Sequence, residues 1–180
     1  SRFLSTAQAE ASGAVDESRL YVRYPHGLEL WINGSGGVWD ITHGGERKRL
    51  PSFGWFAAAP GLTAGSLLDV DGQRYDVARE DGTLFLCGRG TWAEAGGLGS
   101  DGTVWLTSSG EGLHLDFYGP RSAVRIEPKR LGLDEAAFQV TYLDGDGHPL
   151  AAPATEELNE GALVLTPPAT AASARVLRHP

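Results

Sequence analysis

Methionine is absent from the 180-residue chain, even at position 1, so the chain reads as a processed or excised piece of a longer polypeptide. Cysteine occurs once, as Cys87. No intrachain disulfide can form, and no zinc site can be assembled from thiolates alone. Positive charge is also scarce. Fifteen Lys and Arg against 23 Asp and Glu leave a formal net charge of −8, so the chain lacks the basic footprint that a nucleic-acid or other polyanionic partner requires. No apolar run approaches the ~18 residues of a membrane-spanning helix, and no apolar core of a secretory leader is present. Nucleic acid and membrane are therefore not expected as partners. No window repeats apolar residues at i, i+3, i+4 and i+7, which argues against a helical fold.

What the chain has in abundance is punctuation. Glycine (25) and proline (10) make up about a fifth of it, spread along the whole length. Between them lie short stretches of period-two alternation: RLYVRY and LELWIN around Pro25-His26-Gly27, then VWDI, FGWFAAA, LLDV and QRYDVA flanking Asp71-Gly72. A second series follows, with TVWLT, LHLDFY, AVRIE, FQVTYLD, ALVLT and ARVLR separated by turn residues. Turn signals every 8 to 12 residues predict an all-β protein of two stacked antiparallel β-sandwiches, immunoglobulin-like or jelly-roll-like. Residues 1–17 read as a linker or short helical turn, 18–92 as the first sandwich, 93–102 as a glycine-rich linker and 103–180 as the second. Only 131–138 suggests another helical turn.

Aromatic residues on polar strand faces carry the functional reading. A sugar ring has an apolar C–H face and a hydroxylated rim, so its site needs an exposed aromatic plane beside carboxylate, amide or guanidinium groups. Two faces fit. Tyr21 and Trp31 share one with Arg19, Arg23, Glu29 and Asn33. Trp105 shares the other with Thr103 and Thr107, and the next strand adds His114, Asp116 and Tyr118. The alternative is that a neighbouring domain covers these faces, because interfaces are also rich in aromatics. Trp39 and Trp55 read as core, and Trp92 as a loop platform or a plug at the boundary.

Other chemistry finds little support. Asp144 and Asp146 have the spacing of calcium ligands without a third ligand or a downstream Glu, so a hairpin turn competes with a structural calcium there. The five histidines never fall at i, i+2 or i, i+4 on one element, and no Gly-x-Ser-x-Gly occurs. Cys87, after Leu84-Phe85-Leu86, reads as a small buried apolar residue. No catalytic residue is expected.

The run from Leu20 to Gly61 also resembles the β-rich tail that follows the catalytic barrel in bacterial glycoside hydrolases and related polysaccharide-degrading enzymes. The matching residues are Tyr24, His26, Gly27, Leu28, Glu29, Trp31, Asn33, Trp39, Leu50, Pro51, Gly54 and Trp55. The resemblance implies a secreted, non-catalytic accessory region whose partners are a polysaccharide or oligosaccharide and the catalytic domain of the same chain. Its alternative is a spacer that packs on that barrel and binds nothing itself.

Overall fold

The computed structural model describes residues 18–119, 123–133, 137–152 and 154–178, together with Ala11. The expected connector before residue 18 lies, apart from Ala11, outside the described residues. Seventeen strands are described: β1 (Arg19–Arg23), β2 (Glu29–Asn33), β3 (Trp39–His43), β4 (Glu46–Leu50), β5 (Trp55–Ala59), β6 (Leu62–Leu68), β7 (Arg74–Glu80), β8 (Thr83–Cys87), β9 (Ala93–Ala95), β10 (Leu98–Ser100), β11 (Thr103–Ser109), β12 (Gly112–Tyr118), β13 (Val124–Ile126), β14 (Ala137–Leu143), β15 (Ala154–Glu157), β16 (Leu163–Leu165) and β17 (Ser173–Arg178). The chain is all-β and sandwich-like, with one large antiparallel sheet and a smaller second one.

The large sheet has thirteen strands and runs β1-β2-β5-β6-β7-β8-β11-β12-β17-β14-β15, with the β3–β4 hairpin joined to it through Arg49 and Leu68. The small sheet has the order β16-β13-β10-β9. Both the β3–β4 hairpin and the small sheet cover the same side of the large one. Under the hairpin, Trp31, Ile41, Leu50, Phe56, Ala58 and Leu67 form one core. Under the small sheet lies a larger core that includes Leu86, Leu115, Ile126, Phe138 and Leu165. Tyr75 and Val77 on β7 pack against both cores, so the two are neighbours on one continuous floor.

The glycine-rich 93–102 stretch, read from the sequence as a linker, forms the β9–β10 hairpin, with Ala93, Leu98, Gly99 and Ser100 buried. Across the expected boundary β8 pairs directly with β11, from Thr103–Cys87 to Thr107–Thr83. The strands on either side therefore belong to one hydrogen-bonded ladder. Of the helical turn expected over 131–138, residues 134–136 lie outside the described set; a 3-10 turn occupies Pro128–Leu131 and Ala137–Phe138 already belong to β14.

Candidate functional site

Strand β1 pairs with β2 in the register that places Tyr21 opposite Trp31, Arg23 opposite Glu29 and Arg19 opposite Asn33. The expected set does share one face. The β3–β4 hairpin covers part of that face, however: Trp31 is 8% exposed and Asn33 fully buried, while Tyr21, Arg19 and Arg23 on the edge strand β1 stay exposed. Trp31 packs between Tyr21, 5.0 Å away centroid to centroid, and Phe56 at 5.5 Å, with the His43 ring edge-on at 5.4 Å. Its expected role as an open sugar platform is corrected on this geometry.

The polar members of the set satisfy one another. The Tyr21 hydroxyl donates to Glu29 Oε1 at 2.6 Å, which raises the phenol above its ordinary pKa, and Glu29 Oε2 lies 3.3 Å from His43 Nδ1. Asn33 is a structural clasp. Its Nδ2 donates to the carbonyls of Gly37, Leu50 and Pro51, while its Oδ1 accepts from the backbone N–H and hydroxyl of Ser35. One amide thus holds the 34–37 turn and the end of β4 together, which removes Asn33 from the binding residues. Buried backbone carbonyls left without donors would each cost about 1–3 kcal/mol.

The second expected face is assembled on the opposite, outer side of the large sheet, which no other described strand covers. Trp105 is flanked by Phe85 on β8 and Asp116 on β12, with Thr103–Tyr118 and Thr107–His114 as the adjacent pairs. Its ring is 41% exposed and lies 5.9 Å from Phe85, tilted 59°. Tyr118 is exposed, and His114 Nε2 lies 3.1 Å from Asp116 Oδ1. Arg175 stands opposite His114 on β17. This face offers an aromatic plane with hydroxyl, imidazole, carboxylate and guanidinium groups at its edge.

The same outer side continues into the N-terminal half. Ladder registers align Val22, Leu30, Ala57, Ala64, Ala78, Phe85 and Trp105 in one row across seven strands. Leu20, Ile32 and Trp55 extend the next row. Trp55, expected in the core, is 40% exposed there, whereas Trp39 packs half-buried against the first core. Cys87, also expected to be buried, is half-buried on this outer side, where the Thr103 hydroxyl lies 3.1 Å from its sulfur.

Two further features stand apart from these faces, the first on the inner side. A cleft of about 570 Å³ opens between the tip of the β3–β4 hairpin and the β9–β10 turn, floored by β5 to β8. Trp92 is exposed beside it with its indole N–H donated to Glu94. At the 144–148 turn, ligand atoms of Asp144, Asp146 and His148 lie within 4.8 Å of one another. Asp144 Oδ1 already accepts the backbone N–H groups of Asp146 and His148, as a hairpin turn requires. Among the described residues no helix is long and apolar enough to cross a membrane.

The fold and its surfaces define an all-β, sandwich-like protein with an aromatic outer sheet face and a cleft on the covered side. Comparison with protein-family models, with curated proteins and with solved structures returns no match.

Proposed function

We propose that this region is a non-catalytic carbohydrate-binding accessory module of a secreted polysaccharide-degrading enzyme, and that it holds glycan on the outer face around Trp105. The supporting observation is the exposed Trp105 plane beside Phe85 and Tyr118, with His114 and Asp116 hydrogen-bonded to each other at its edge. Aromatic planes supply contact area to the C–H face of a sugar, and the edge groups supply donors and acceptors to its hydroxyls. The reading invokes no metal or cofactor.

A spacer role is the second reading, and one observation favours it. Leu20, Ile32 and Trp55 prolong the outer face as an apolar surface with few hydrogen-bonding groups, which suits a covering domain better than a sugar. A glycan array followed by titration of the best binder separates the two. Trp105→Ala is expected to lower affinity by about 10- to 100-fold, as loss of an interface anchor does. If the parent protein binds no glycan on the array, or the variant binds as well as the parent, the outer-face reading fails and the spacer remains.

A further inference from the structure

The cleft on the inner side has a chemistry different from the Trp105 face. Strand β7 lays Tyr75, Val77 and Arg79 along its floor at alternate positions, so roughly 14 Å of extended strand separates the phenol end from the guanidinium end. The half-buried Tyr75 and Val77 give the floor its accessible apolar surface, resting on the buried Phe56, Leu67 and Leu84. Around the rim most charges are already spoken for. Lys48 pairs with Glu46 and Arg130 with Glu127, while Glu94 holds the Trp92 indole and lies 3.7 Å from Arg125. Arg79 is the exception: it is exposed, and its guanidinium has no ion pair or hydrogen bond among the described residues. A Cβ on Gly96, in the facing turn, would lie 3.9 Å from its Nη1, so the guanidinium reaches across the cleft mouth.

We propose that this cleft is a second ligand site, selective for a short oligosaccharide bearing a carboxylate, that is, a uronic-acid sugar. The apolar floor takes a ring face and Arg79 takes the carboxylate, the planar fork to which a guanidinium is matched. A lone uncompensated cation among Glu46 and Glu94 suits one negative charge better than a dense phosphate. The cleft volume falls in the usual range for small-ligand sites. The protein's overall charge of −8 does not oppose this, because exposed charges more than about 8–10 Å apart are largely screened at physiological salt. The site does not rest on the Trp105 reading, since the two occupy opposite sides of the sheet.

The test uses trigalacturonic and triglucuronic acid as probes, each beside its methyl ester, with calorimetry and amide chemical-shift mapping on the whole chain. At least one acid trimer is expected to bind in the cleft, shifting Tyr75 and Gly96, and to bind at least about tenfold tighter than its ester. Arg79→Gln should abolish that preference with an unchanged melting temperature, and Trp105→Ala should preserve it. Acid binding without any neutral-glycan binding would refute the outer-face reading and leave this one standing. Failure of both acids at millimolar concentration, equal binding of acid and ester, or loss of acid binding on Trp105→Ala with Arg79→Gln unaffected would overturn the cleft assignment.

Discussion

Trp31 and Trp105 are the same residue type at alternating-strand positions, and their neighbours decide what each can do. Trp31 is enclosed by Tyr21, Phe56 and His43, whereas Trp105 has a described ring contact on one flank only, with Phe85, and is 41% exposed. Trp31→Ala should therefore destabilise the fold by about 3–5 kcal/mol. The same truncation at Trp105 should cost less than about 1 kcal/mol, and urea midpoints of the two variants check the contrast. Asn33 makes a second case. Aspartate at position 33 keeps the shape but loses the Nδ2 donor, turning a carboxylate toward the Gly37, Leu50 and Pro51 carbonyls. Asn33→Asp is expected to lose about 3 kcal/mol or more, as burial of an unpaired charge does; a midpoint within error of the parent would show that the clasp is not structural. In the sequence Asn33 looks like a surface amide, because its five hydrogen bonds depend on a turn and a strand end that meet it only after folding.

Hairpins were largely legible from turn residues and alternation. Strands β1, β2, β3, β5, β7, β11, β12, β13, β14, β16 and β17 all overlap stretches that read as strand, whereas β8 lies in a stretch that did not. β4 did not, because Glu46-Arg47-Lys48-Arg49 is charged at four successive positions, and it becomes a strand only as a partner of β3 with its terminal Leu50 buried in the first core. The β9–β10 hairpin was hidden for the opposite reason: glycines that suggest a flexible connector are there for close approach. At Gly97 a Cβ would lie 2.9 Å from Arg130 Cβ, and at Gly99 it would come within 2.8 Å of the Trp92 ring. The Asp144–His148 turn carries a pH dependence. Backbone donation from His148, then from Asp146 and Gly147, together with the His148 ring, holds the Asp144 carboxyl below its ordinary value of 3.8. Its contribution is fully present above the unfolded-state pKa and is lost as pH falls through the lower folded-state pKa. A carboxyl ¹³C titration should show Asp144 with a midpoint below 3.8, and Asp144→Asn should remove that part of the acid dependence. A midpoint at or above 3.8 would contradict the turn geometry.

The molecule as a whole behaves as one ladder with two lids. Because β8 pairs with both β7 and β11, and because Tyr75 and Val77 touch both cores, neither half can lose its strands without exposing the other. Scanning calorimetry should give a single transition with matching calorimetric and van't Hoff enthalpies. Two resolved transitions would mean that the halves fold independently after all. Circular dichroism should be dominated by strand, in keeping with 57% strand and 5% helix among the described residues.

Local chemistry alone specified the all-β class, most strand positions and the turns between them, since alternation and glycine-proline punctuation act over a few residues. It also grouped side chains correctly by face: Tyr21 with Glu29 and Trp31, and Trp105 with His114, Asp116 and Tyr118. Which of those faces meets water is a different question. Period-two alternation distinguishes two sides of a strand without naming the covered one, and shifting the choice exchanges every residue at once. That choice was made by the β3–β4 hairpin, whose charged fourth strand folds over Trp31 and leaves Leu20, Ile32 and Trp55 outside. The cleft with Arg79 arises in the same way, between two lids that are about 50 residues apart in the chain and neighbours only across the folded sheet.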